Sequence, residues 1–177
     1  MKLIDAQDSV VVIVDLQARL LPAIHEGGRV VERCVRLARI ARLLGVPVVG
    51  TEQNPAGLGP NVEAIRALCD PTLAKTSFDA CADGLAEALP AGRGCAIVAG
   101  CEAHVCMLQT ALGLLARGLS VRVVADCVGS RAPRDRDLAL GRLGAAGAGI
   151  VTLEMVAFEW MRRSDHPRFR EVLALVK

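Results

Sequence analysis

The chain has 177 residues, 53% of them hydrophobic, and a formal net charge of +2. This composition implies one folded domain, 1–177, with a sizeable core, and excludes a disordered chain. The small charge implies no polyanionic partner. Four aromatic residues without a single tyrosine argue against base stacking, so no nucleic acid is expected.

The chain opens MKLIDAQDSVVVIVD, with one Lys and two Asp before its apolar run. A signal peptide would have a basic start and a small-residue cleavage site instead. No apolar run nears the ~20 residues that cross a bilayer, so the reading is a cytoplasmic protein with no membrane partner. Seven cysteines, an odd number scattered through apolar segments, read as reduced and mostly buried thiols.

Residues 10–15, VVVIVD, form a continuous β-branched run, the pattern of a strand covered on both faces. Residues 29–44 follow with helical periodicity, placing Val31, Cys34, Val35, Ala38 and Ala41 on one face and five arginines elsewhere. That arginine-rich surface reads as a solvated helix face. Gly45 stops the helix, and 47–51 reads as a second strand. The segment 51–61, TEQNPAGLGPN, is the one long loop, and a weaker strand lies at 72–75. Further strands are expected at 95–100, 121–126 and from 150 to 155. Helices are expected at 104–117, 134–146 and over the last twenty residues. The 104–117 helix is expected to bury Val105, Leu108, Ala111, Leu112 and Leu115. Six strands alternating with helices of this length imply an α/β, Rossmann-like, mostly parallel sheet with helices on both faces.

In such a sheet, ligands gather beyond the carboxyl ends of the strands, where strand order reverses. The residues there are Asp15, Thr51 and Glu52, Lys75, the stretch 101–106, and Asp126. Cys106 stands in the first turn of the 104–117 helix, where unpaired N–H groups and the helix dipole are expected to lower a thiol pKa. The stretch GCEAHVC also admits a zinc reading, but it has no second ligand pair, and a Cys101–Cys106 disulfide does not suit a reducing compartment. Lys75 is distinctive: the 21 basic residues include only three lysines, and the other two are terminal, Lys2 and Lys177. Lysine is a compact charge with a tunable pKa, which arginine is not. A carboxylate, an ammonium and a helix-start thiol at three strand ends make a nucleophile with its base and its electrostatic partner. Asp126, Ser130 and Arg131 read as supports of this site, while Glu52 and His104 have no role decided by the sequence.

At this point the sequence resembles the isochorismatase-like cysteine hydrolases, and among them the isochorismatase-domain-containing proteins. The resemblance runs through VVIVDLQARLLPAI, LLGVPVVGTEQNPAGLGP, KTSFDA and VAGCEAHVCMLQTALGLLARGLSVRVVADCVGSR to HPRFREVLALVK. It implies the three-layer isochorismatase-like hydrolase fold and a triad of Asp15, Lys75 and Cys106. It also implies a cis peptide at Cys101–Glu102, an oxyanion site made by the backbone N–H groups of Glu102 and Cys106, and a substrate pocket that includes Gln17, Phe78 and Cys101. Cys101 stands where an aliphatic residue is usual, and Asn54 where relatives often carry an aromatic. No histidine lies in 47–62, so neither a metal nor any other cofactor is expected. The activity implied is hydrolysis of a C–N bond in a small amide-like molecule through a thioester.

Rival readings are a redox-active thiol or a non-catalytic scaffold on the same fold. A dinucleotide dehydrogenase is disfavoured because VDLQARLLP has no glycine to admit a pyrophosphate. The expected partners are a small-molecule substrate and further copies of the chain, since a surface rich in Ala and Leu favours a homo-oligomer.

Overall fold

A computed structural model describes residues 2–177. Six strands form one sheet: β1 (Ser9–Val14), β2 (Val48–Gln53), β3 (Thr72–Lys75), β4 (Cys95–Cys101), β5 (Ser120–Gly129) and β6 (Gly149–Val151). Their order is β3-β2-β1-β4-β5-β6 and every pairing is parallel. β1 and β4 lie at the centre and every residue of both is buried, which is why their sequences are unbroken apolar runs rather than alternating ones.

Successive side chains of a strand point to opposite faces, and the core divides accordingly. Val11, Ile13, Ile97 and Ala99 pack toward α1 (Gly27–Leu43), α7 (Leu153–Met161) and α8 (Phe169–Val176). Val10, Val12, Val14, Ala96 and Val98 pack toward α5 (Cys106–Ala116) and α6 (Pro133–Ala145). The result is the three-layer α/β architecture expected, with strand order reversing between β1 and β4. The carboxyl ends of these two strands therefore open the crevice in which such folds place their chemistry.

The packing of α1 differs from the expected stripe. Val30, Cys34, Leu37, Ala38, Ile40 and Ala41 are buried, while Val31 and Val35 are only half-buried. The wide apolar surface is shared between the sheet and α8, whose Phe169, Leu175 and Val176 pack against the same cluster. In α5 the buried set is Cys106, Met107, Leu108, Thr110, Ala111 and Leu114, whereas Val105, Leu112 and Leu115 are half-buried.

The last strand is shorter than expected. β6 stops at Val151 because the Thr152 hydroxyl accepts the N–H of Met155 and caps α7. β5 instead runs on to Gly129 through a register shift against β4, so Asp126 lies within the strand and not after it. The loop 51–61 also contains structure: β2 extends to Gln53, α2 (Pro55–Leu58) forms one turn, and Asn61 bridges to Gln17. Two other single turns, α3 (Glu63–Arg66) and α4 (Leu85–Ala88), are too short to produce a readable period.

Candidate active site

β1 ends at Val14, and Asp15 turns out of the sheet with φ 49°, a left-handed conformation uncommon for a non-glycine residue. Its side chain is fully buried and held from both sides. The Thr51 hydroxyl donates to Oδ1 at 2.7 Å, and Lys75 Nζ donates to Oδ2 at 2.7 Å. Lys75 lies at the end of β3, two strands away from β1, and its side chain is likewise inaccessible. Its ammonium also donates to Gln53 Oε1 at 2.6 Å and to the Ser77 carbonyl at 3.4 Å. A buried ion pair needs such further hydrogen bonds, because its mutual attraction alone repays desolvation poorly.

Cys106 is the first residue of α5 and is 5% exposed. Its Sγ lies 3.8 Å from Gln53 Oε1, the same oxygen that accepts from Lys75 Nζ, and the charges of Asp15 and Lys75 both act on it. Gln53 Oε1 thus links the thiol to the Lys75 ammonium, which in turn holds the Asp15 carboxylate. Burial pushes the Cys106 thiol up to about 12; the Asp15 charge adds to the rise and Lys75 opposes it. The lowered pKa expected from the helix start is therefore corrected, because desolvation outweighs the dipole. This burial favours the neutral thiol over the thiolate.

The peptide bond Cys101–Glu102 is cis. The turn that follows is tied down by hydrogen bonds: the Glu102 carbonyl accepts from the N–H groups of Val105 and Met107, and Ala103 N donates to Gly129 O at 2.7 Å. Among the described residues no acceptor lies on the amides of Glu102 or Cys106. The Glu102 carboxylate is buried and paired with Arg131, whose Nε and Nη2 reach its two oxygens at 2.6 and 3.2 Å. His104 Nδ1 lies 3.0 Å from Ser130 Oγ. Ser130 and Arg131 thus brace the loop that presents Cys106. Asp126 does not: its Oδ1 accepts the N–H of Leu153 at the start of α7, away from the thiol.

The three expected pocket residues have other surroundings. Gln17 is buried with its amide fully engaged, donating to the carbonyls of Gln53 and Gly59 and accepting from Gln53 N–H. It clamps the end of β2, using both amide hydrogens and one lone pair of its oxygen. Cys101 is fully buried in the core toward α1, its sulfur packed with Ile24 and Val30 over Gly129, and burial pushes its thiol up to about 12. Phe78 is 52% exposed and closes no wall within this chain. Glu52 Oε1 accepts the N–H of Asn61 and so helps to hold the loop.

Of two further residues of the cluster, Thr51 is among the strand-end positions singled out by topology, and Gln53 is not. Gln53 bridges Lys75 and Cys106, and Thr51 holds Asp15. Both sit at the end of β2, the strand between those that carry Asp15 and Lys75, and Gln53 escapes the sequence reading because β2 runs two residues further than expected. Seven free cysteines are present, and among the described residues no three His, Cys, Asp or Glu side chains gather as metal ligands. No helix among the described residues is long and apolar enough to cross a membrane.

Comparison with known proteins agrees with this geometry at the level of fold and family. Residues 9–155 match the isochorismatase domain. Mouse isochorismatase domain-containing protein 2A is 37% identical over 174 residues, covering 97% of this chain and 84% of its own length. The structure of a Caenorhabditis elegans protein called MAR1 ribonuclease superposes with a TM-score of 0.91 at 36% identity, covering 98% of this chain and 91% of that one. YcaC from Pseudomonas aeruginosa, solved with hexane-2,5-diol and covalent acrylamide, gives 0.91 at 30% identity over 98% and 91%. YcaC from Escherichia coli, described as an octameric hydrolase of unknown specificity, gives 0.85 at 27% identity over 98% and 86%. A matched domain that spans most of the chain, on a parallel sheet whose crevice holds a carboxylate, an ammonium and a thiol, establishes that the chain belongs to the isochorismatase family.

Proposed function

We propose that the chain is a cysteine-dependent hydrolase that cleaves a C–N bond in a small amide-like substrate through a thioester. The observation that carries this reading is the linkage of the Cys106 thiol, through Gln53 Oε1, to the buried Asp15–Lys75 pair at the reversal point of the sheet. Asp15 takes the thiol proton as sulfur attacks the carbonyl carbon. Lys75 keeps Asp15 oriented and offsets the negative charge that arrives on sulfur. The free amides of Glu102 and Cys106 receive the oxyanion. As the C–N bond breaks, Asp15 returns the proton to the leaving nitrogen, and an amine or ammonia departs. Water then attacks the thioester, giving its proton through Asp15 to the sulfur and leaving a carboxylic acid. The net reaction is amide plus water to acid plus amine, with no metal or organic cofactor.

Acrylamide is a soft electrophile that thiolates attack, and its covalent presence in a related structure supports a reactive nucleophile on this fold. Self-association is proposed on the octameric description of the Escherichia coli relative. The test is ammonia release from a panel of small amides. Activity is expected in the wild type, abolished in Cys106→Ala and Asp15→Asn, and reduced about 10–100-fold in Gln53→Ala, which leaves the triad but frees the lysine. Ammonia release that survives Cys106→Ala would assign the chemistry elsewhere. A thiol reversibly oxidised by peroxide, with no amide turned over, would favour the redox reading.

A further inference from the structure

A second cleft, of about 330 Å³, lies on the other side of the Cys106 loop, between the start of α1, the end of β5 and the first turn of α6. None of Asp15, Lys75 and Cys106 lines it. Its floor is apolar, formed by Val30 and Val128, while three arginines, Arg29, Arg33 and Arg136, and two carboxylates, Glu26 and Asp126, stand around it. We propose that this cleft binds a small organic anion, a carboxylate or phosphate head carried on a compact apolar body.

The argument rests on unspent donors. Arg29 and Arg33 are one turn apart on α1, and neither donates a hydrogen bond to any described residue. Their only carboxylate neighbours are Glu26 at 3.5 Å and Asp126 at 3.9 Å, both beyond a good charge-assisted bond. Asp126 cannot swing closer without giving up the N–H of Leu153. The Arg33 side chain is 30% exposed and gives no hydrogen bond to the described residues, so its donors are open to an anionic acceptor entering the cleft. Arg136 is held against the sheet by the carbonyls of Ala125 and Val128 and pairs with Asp137 at 2.9 Å, so the anion is assigned chiefly to Arg29 and Arg33. Both bordering helices begin without a side-chain cap, so their positive ends add to the attraction. The cleft volume suits a fragment-sized ligand. Its back wall, Gly129 and Ser130, is the segment bonded to Ala103 and His104, so an occupant would bear on the loop that positions Cys106.

Isothermal titration with benzoate, against benzyl alcohol as a neutral analogue, tests the proposal without any assay of activity. Benzoate is expected to bind saturably and benzyl alcohol not. Arg33→Ala and Arg29→Ala should each weaken benzoate roughly tenfold or more. Cys106→Ser should leave its affinity unchanged, which separates this site from the thiol site. Circular dichroism confirms that each variant is folded. The Arg29 side chain is 64% exposed, so its removal keeps the test valid even if Arg33→Ala misfolds. Absence of saturable benzoate binding, equal binding of the alcohol, or binding indifferent to both arginines would overturn the proposal, as would binding lost with Cys106→Ser.

Discussion

The Cys106 sulfur illustrates how far one residue's chemistry departs from its local setting. A helix start favours a thiolate, yet the side chain is 5% exposed and faces a carboxylate, and its proton is held up to about 12. Alkylation by iodoacetamide requires the thiolate, so its rate at Cys106 should climb roughly tenfold per pH unit above neutrality and level off only near pH 12. Rate against pH, with the labelled site read by peptide mass, checks this; a plateau near pH 7 would show an ion pair at rest. Lys75 was legible in the sequence because an arginine-dominated chain retained one internal lysine. Gln53 was not, because a glutamine at a strand end is unremarkable until its Oε1 is found between an ammonium and a thiol. Gln17 shows the reverse: the resemblance marks its position, and only the structure shows that its amide clamps the end of β2.

Among the elements, β4 shows how one backbone position controls the crevice. Gly100 has φ +112°, and a Cβ there would lie 2.1 Å from the carbonyl oxygen of Val14. The central strands come together as closely as they do only because this residue has no side chain. Gly100→Ala should therefore destabilise the fold by roughly 3 kcal/mol or more, read as a lower urea midpoint. Unchanged stability would mean that β1 and β4 can part without cost. The central strands were legible because burial on both faces leaves an unbroken apolar run. The end of β6 and the buried face of α1 were not. A threonine cap and a second packing partner, α8, are facts of context that periodicity does not carry.

For the molecule as a whole, the thiols set an alkaline limit. Burial raises Cys69, Cys81, Cys101 and Cys106 to about 12, raises Cys34 well above its ordinary value and raises Cys95 as well. Below pH 9 both folded and unfolded chains hold these protons, so the thiols contribute no pH dependence. Above pH 9 the unfolded chain releases protons that the folded chain retains, and stability falls by about 1.4 kcal/mol per pH unit for each thiol until its folded pKa is reached. Urea unfolding under reducing conditions should show a markedly lower midpoint at pH 10 than at pH 8. Equal midpoints would mean that the thiols are not desolvated.

The sequence by itself determined the parallel α/β sheet, the central strands and the three strand ends that carry Asp15, Lys75 and Cys106. These follow from local periodicity and from which residue types stand after apolar runs, and both are properties of short segments. Tertiary structure alone decided that burial favours the neutral thiol, that Gln53 links it to Lys75, and that arginines from two helices face one cleft. Each of those depends on distances between residues far apart in the chain, and on water removed by packing, which no single segment encodes.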